Sequence, residues 1–193
     1  MIEIEKKFAA SEEDIKRITE GAEFIKESVN RDTYYDREGF PLVKNNMYLR
    51  ERNGSFELKV FAAEKGSSVS KYLELEEEKD IKTKLGIPDD KTIHEYLKEN
   101  EYVPFGSWDT TRKRFKKEGF TVDVDSVDFG HNVLEIELLV EEGGDTNEAA
   151  DRILDFAKRS GLGEGSTEGK VLEFIKRTNP TACNDIKTAW EKL

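Results

Sequence analysis

Apolar residues along this chain recur mostly at every second position, in short runs broken by glycine, and that period marks strands rather than helices. In MIEIEKKF (1–8), Ile2, Ile4, Lys6 and Phe8 fall on one face and Glu3, Glu5 and Lys7 on the other. MYLRERNGSFELKV predicts a hairpin, because Asn53-Gly54 suits a two-residue turn in which both central residues take positive φ. Pairing through that turn sets Arg52 against Ser55, Arg50 against Glu57 and Tyr48 against Lys59. The other face is then Met47, Leu49 and Glu51 with Phe56, Leu58 and Val60, which is mostly apolar. RDTYYD (31–36) reads as a strand followed by a loop with Gly39 and Pro41, and KYLELE (71–76) as a strand of unassigned facing. A meander follows, with strands near 111–117, 119–126 and 133–141. In it Val122 and Val124 oppose Asp123 and Asp125, while Leu134, Ile136, Leu138 and Val140 oppose Glu135 and Glu137.

Helical signals are fewer. Ser11 with Asp14 forms a capping pattern ahead of Ile15 and Ile18, predicting a short helix that ends near Gly21. Further helices are expected over 87–101, over about 146–160 ending at Gly161, and over about 166–178 beginning at Ser166; a last amphipathic piece carries Ile186 and Trp190. The class is α+β with a dominant antiparallel sheet. The length of 193 residues predicts a single domain over 1–193, with C-terminal helices from about 146.

Composition narrows the chemistry. Charged residues make up 38% of the chain and hydrophobic ones 36%, so a polar protein is expected to fold on its periodic apolar positions. No run approaches the length of a membrane span, and acids stand where a signal peptide carries bases, which predicts a cytoplasmic protein. Cys183 is the single cysteine, and His94 and His131 are far apart, so any metal must be held by oxygens. The net charge of -11 argues against nucleic acid or anionic membrane as partners; a small molecule and a monomer are expected instead.

Three strands thus carry a carboxylate-x-carboxylate pair on one face, the members about 7 Å apart. Arg50, Arg52 and Lys59 of the hairpin and Arg112 of the meander add positive charge to the same kind of face. Two architectures fit. An open sheet would turn this face to water, whereas a closed barrel of inverted polarity would line its lumen with charge and lay its apolar side chains outward beneath helices. The near-pure acid or base content, segregated by strand, favours the lumen. Inside it the carboxylates would raise one another's pKa unless cations intervened, and all-oxygen ligation suits magnesium or manganese. The clustered Arg and Lys suit a polyphosphate.

Glu3-x-Glu5-x-Lys7 is the ExExK pattern of the CYTH, or triphosphate tunnel metalloenzyme, superfamily. It is followed in order by RDTYYD, YLRERNGSFELK, VDVDSVDFG, LEIE and GKVLEFIKR, a set that resembles the thiamine triphosphatase branch of that superfamily over nearly the whole chain. The resemblance implies a closed eight-stranded antiparallel tunnel with a charged lumen, surrounded by helices. It implies magnesium, or manganese, on Glu3, Glu5, Asp123, Asp125, Glu135 and Glu137, and a triphosphate gripped by Lys7, Arg50, Arg52, Arg112 and Lys170. Tyr34 and Lys59 match a catalytic pair, and Tyr48 stands where an aromatic residue meets thiamine. The implied reaction is magnesium-dependent hydrolysis of thiamine triphosphate to thiamine diphosphate and phosphate. Inorganic tripolyphosphate or a nucleoside triphosphate is the alternative substrate, and polyphosphate binding without turnover the alternative outside catalysis. One departure is expected in the strand near 71–76, where the superfamily's basic residue falls on Leu73 and Lys71 would substitute only by sharing the lumen face. Two phosphate-loop look-alikes fail: EGSTEGK lacks the first glycine and has Val171 after the lysine, and GLGEGS follows a helix.

Overall fold

A computed structural model describes residues 1–62, 69–141, 144–163 and 167–192. The strands are β1 (Ile2–Phe8), β2 (Glu23–Asp36), β3 (Met47–Arg52), β4 (Ser55–Phe61), β5 (Ser70–Leu75), β6 (Val103–Lys117), β7 (Phe120–Val127) and β8 (His131–Val140). The helices among the described residues are α1 (Glu12–Thr19), α2 (Pro41–Lys44), α3 (Glu78–Leu85), α4 (Ile93–Glu99), α5 (Thr146–Arg159), α6 (Lys170–Thr178) and α7 (Pro180–Trp190). Every strand pairs antiparallel with its neighbours, and the order β1-β5-β4-β3-β2-β6-β7-β8 closes in a ring through β8 on β1. The class is therefore α+β, with an eight-stranded antiparallel sheet closed on itself.

The β3–β4 hairpin has the expected register, Tyr48 against Lys59 and Arg50 against Glu57. Asn53 and Gly54 both take positive φ, as the turn requires. Closure decides the polarity question, since alternate side chains of a closed sheet must point inward or outward. The apolar set of most strands points outward, and two clusters pack it under helices, while a third lies on the inward face at one end of the ring. Ile4, Val122, Leu134 and Ile136 meet Ile18 of α1 and Ile153 and Phe156 of α5. Leu49 and Leu58 meet Ile81 of α3 and Ile93 and Leu97 of α4. On the inward face, at one end of the ring, Tyr34, Trp108 and Val127 share the parity of Arg50 and Arg112 and meet α6 and α7 through Val171, Leu172, Ile175 and Ile186. Each such side chain, removed fully from water, contributes about 1.5–3 kcal/mol.

Several boundaries differ from the sequence expectations. β2 begins at Glu23 and β6 at Val103, well before the 31–36 and 111–117 expected, because these two strands pair with each other along nearly their whole length. The expected 87–101 helix starts only at Ile93, where Thr92 supplies a capping box with Glu95, and α3 precedes it. The expected loop at Gly39 and Pro41 contains the short α2. The expected start at Ser166 lies outside the described residues; α6 itself begins at Lys170 with Gly169 as its cap. No helix among the described residues is long and apolar enough to cross a membrane.

Candidate active site

The lumen encloses a cavity of about 1260 Å³ lined by residues of β1, β2, β3, β4, β5, β6, β8, α6 and α7. Alternation delivers its charges. Glu3, Glu5 and Lys7 come from β1, Arg50 and Arg52 from β3, Lys59 from β4, Arg112 from β6, and Glu135 and Glu137 from β8. Asp123 and Asp125 on β7 are completely buried behind the arginines of β6.

Buried charge is tolerated only when it is paired, and the pairing here is dense. Arg112 donates to Asp125 from Nε at 2.7 Å and to both Asp125 and Glu135 from its second terminal nitrogen at 2.6 Å; its other nitrogen lies 2.6 Å from Asp123. Arg114 adds bonds to Asp123 at 2.8 and 2.5 Å. Lys59 Nζ donates to Glu3 at 2.6 Å and Glu5 at 2.9 Å and lies 3.1 Å from Glu74. Arg50 holds Glu57 at 2.5–2.7 Å, and Arg52 grips the buried Asp32 with two bonds of 2.7 and 2.8 Å. Lys7 is ion-paired with Glu5, and Lys170 with Asp125.

The proton equilibria follow from this packing. Burial works to raise Glu135, but Lys170, Arg112 and Lys7 hold it well below the usual carboxylate range. Burial likewise opposes Lys59 and Arg50 at Glu74, and the cations bring it down to about 2. Burial, aided by Lys59 and Lys170, outweighs Glu135 and lowers Lys7 to about 8. Glu137 goes the other way: burial first, then the like charges of Glu3 and Asp123, push it well above the ordinary value. Its nearest cationic nitrogens, on Arg114 and Arg112, stand 3.7 and 3.8 Å away.

Two carboxylate groups have the spacing of a metal site, Glu3 with Glu5 and Glu137, and Asp123 with Glu135 and Glu137, their oxygens within 4.8 Å of one another in each. Glu137 belongs to both and is the acid left short of positive charge, so the residues fit a hard divalent cation by donor type and by charge.

Lys170 arrives from outside the ring. Its segment is tied down where Thr167 N donates to Lys7 O at 3.2 Å, where His131 Nε2 meets Glu168 O at 3.0 Å, and where Lys187 pairs with Glu168. Gly106 of β6 lets α6 come close: a Cβ there would stand 2.8 Å from the Trp108 ring and 2.9 Å from that of Phe174.

The expected site residues thus converge on one lumen, with two adjustments. No hydrogen bond joins Tyr34 to Lys59 among the described residues. Lys59 is engaged by carboxylates, and the Tyr34 hydroxyl accepts instead from Arg50 at 3.2 Å while its ring stacks on Trp108 at 4.7 Å. On β5, Lys71 points outward to Thr146 and Asn147 of α5, and the lumen receives Tyr72 and Glu74. Neither Lys71 nor Leu73 stands in for the superfamily's basic residue. Sequence alone could have found Tyr72 and Glu74, since Leu73 and Leu75 share the parity that faces helices on the other strands. Glu57 likewise follows from the hairpin register opposite Arg50, and Asp32 from its parity with Tyr34, whereas Trp190 carried no such signal.

Solved structures share this architecture. The PH1819 protein of Pyrococcus horikoshii OT3 is 21% identical with a TM-score of 0.63, covering 92% of this chain and 99% of its own. The PH1012 protein of the same organism is 24% identical with a TM-score of 0.59, covering 86% and 94%. HpAC1 of Hippeastrum, an adenylyl cyclase homologue described as having a dominant triphosphatase activity, is 17% identical with a TM-score of 0.59, covering 92% and 95%. At these identities the likeness is one of fold. The CYTH domain model matches residues 1–171, most of the chain and all eight strands of the ring, and the protein therefore belongs to the CYTH domain family.

Proposed function

We propose that the protein is a metal-dependent triphosphatase that removes the terminal phosphate of an organic triphosphate, thiamine triphosphate first among them. The observation that carries this reading is the joint presence, in one closed lumen, of two three-carboxylate groups and a set of Arg and Lys side chains that currently serve as the acids' counter-ions. The activity described for HpAC1 agrees with it.

Glu3, Glu5, Asp123, Glu135 and Glu137 would hold a divalent metal, with Asp125 behind them. Held there, magnesium or manganese would supply charge neutralisation to the phosphate chain and so favour attack by water. Lys7, Arg50, Arg52, Arg112 and Lys170 would bind phosphate oxygens and stabilise the leaving diphosphate. Tyr34, with Arg50 on its hydroxyl, would orient the attacked phosphate; Lys59, released from Glu3 and Glu5, would follow the developing charge. Each base is paired with an acid. A cation entering alone would strand the bases, and a polyphosphate entering alone would strand the acids, whereas both together exchange one set of pairs for another. Metal and polyphosphate are therefore expected to bind cooperatively.

Phosphate release from thiamine triphosphate, tripolyphosphate and ATP, with magnesium and with chelator, tests the reading. One phosphate per thiamine triphosphate is expected, abolished by chelator and by Glu5→Gln. No release from any of the three with magnesium or manganese would refute it. Tripolyphosphate is the second reading, because the phosphate-binding side chains engage the same anion in either substrate.

A further inference from the structure

Of the expected triphosphate ligands only Lys170 is delivered by a helix, so the hydrogen bonds of the ring do not fix where its amine stands. Nor does α6 fix its own start, because its cap is Gly169, which has no side chain to hold the first turn. The β7–β8 hairpin does. Lys170, Glu173, Phe174 and Arg177 recur at helical spacing and share one face of α6. At the first of them, Lys170 pairs with Asp125 and stands 3.5 Å from Glu135, one acid on each limb of the hairpin. At the last, Arg177 donates to Phe129 O at 2.6 Å and to Gly130 O at 3.3 Å on the turn, and its Nε donates to Glu173 at 2.8 Å. Between them the Phe174 ring meets that of Phe129, centroids 5.6 Å apart. A second pin lies just ahead of the helix, where the buried His131 donates from Nε2 to Glu168 O at 3.0 Å. The turn that makes these bonds is itself braced: Asp128 N donates to Asp109 O, and the Asp128 carboxylate accepts from Asp109 N, both at 3.0 Å.

A helix pinned to one rigid support at both ends can neither slide nor rotate, and Lys170 then reaches the lumen at a set height. We propose that His131 and Arg177 are positioning residues for Lys170, holding α6 on the β7–β8 hairpin so that its amine meets the phosphate chain beside Asp125 and Glu135. Neither residue lines the cavity, so neither touches metal or phosphate there. The inference rests on reading the charged lumen as a triphosphate site. It places part of that site's anion affinity in two groups outside the lumen wall.

Tripolyphosphate is the probe, in steady-state kinetics with magnesium and in calorimetric titration with calcium to slow turnover. Arg177→Met and His131→Leu are each expected to raise KM and Kd about tenfold while kcat stays within about threefold. Arg177→Lys and His131→Gln, which keep an N–H donor in reach, should recover most of the loss. In a Lys170→Ala background either change should move KM and Kd by no more than about twofold, because the group it positions is gone. If His131→Leu does not fold, Arg177→Met carries the cycle alone, its side chain being 42% exposed. Penalties of the same size in both backgrounds, parent-like affinity in Arg177→Met, or a Lys170→Ala variant that binds as the parent does would overturn the proposal and leave the two residues a packing role. Coupled penalties in binding without any phosphate release would sink the triphosphatase reading and leave the positioning role standing. No binding of tripolyphosphate by the parent would end both.

Discussion

The acids and the bases of the lumen are built differently. The acids of the two metal-spaced groups, with Asp125, occupy one contiguous arc, β7–β8–β1, on short side chains whose exposure runs from 0% at Asp123 to 10% at Glu3. The bases come from β1, β3, β4, β6 and α6 on long side chains, from 11% exposed at Lys170 to 31% at Arg114. Short carboxylates are fixed by the wall that carries them, while long cations lean across the space and are met first by anything entering. The contrast assigns the acids to a position set by the fold and the bases to a position set by whatever anion is nearest. Without ligand, that anion is the acidic arc for Lys7, Lys59, Arg112 and Lys170, and Glu57 or Asp32 for Arg50 and Arg52.

Removing the principal link between the arcs should have the largest effect. Arg112→Ala leaves Asp123, Asp125 and Glu135 without their shared cation and should cost about 3–5 kcal/mol of stability. Saturating magnesium should recover part of it, as seen in denaturant melts with and without metal; an identical loss in both conditions would show that the acidic arc takes no metal. Leu58→Ala, on the fully buried outer face of β4, should cost about 2–5 kcal/mol through a cavity under α3 and α4. That loss should be the same with or without magnesium, since it lies behind the lumen wall. Gly106→Ala should cost about 1–3 kcal/mol by crowding Phe174. Because α6 carries Lys170, this variant should also raise KM for a triphosphate, where Leu58→Ala should not.

The smallest change sharpens the comparison by its sign. Glu137 is raised in the folded protein, so above the unfolded value the folded state holds a proton that the unfolded state has released. Its contribution to stability therefore falls as pH rises from about 4.3 toward the raised value. Glu74 acts oppositely, adding stability that is present above the ordinary glutamate range and lost as pH falls to about 2. Glu137→Gln should thus make the metal-free protein slightly more stable at neutral pH while weakening magnesium binding. Melts across pH in chelator check the first effect and calorimetric titration with magnesium the second.

Much of this was legible from periodicity. The β3–β4 register followed from Asn53-Gly54, and the facing of β1, β7 and β8 from strict alternation. The early halves of β2 and β6 were not legible, because alternation records a difference in burial between faces. Residues 23–27 of β2 are exposed on both, as are Val103 and Pro104 of β6. Pro104 and Gly106 also read as breakers, yet a register shift between Tyr34 and Tyr35 accommodates them. α3 was missed because Ile81 is its only buried residue, too little to define a helical stripe. The partners of Tyr34 and Lys59 depend on reach across the lumen, which strand parity does not encode.

Ring closure also governs how the molecule comes together in time. β1 hydrogen-bonds to residues 70–73 on one edge and 134–140 on the other, so neither partner is near it along the chain. Local hairpins such as β3–β4 and β6–β7 can form early, whereas the strand carrying Glu3, Glu5 and Lys7 must wait for loop closures that are entropically costly. Until then it has two open edges and an apolar face around Ile4, a form prone to pairing with other chains. A slow last step in refolding, with dilute protein recovering better than concentrated protein, is the expected kinetic signature of a sheet that has no edge once it is complete.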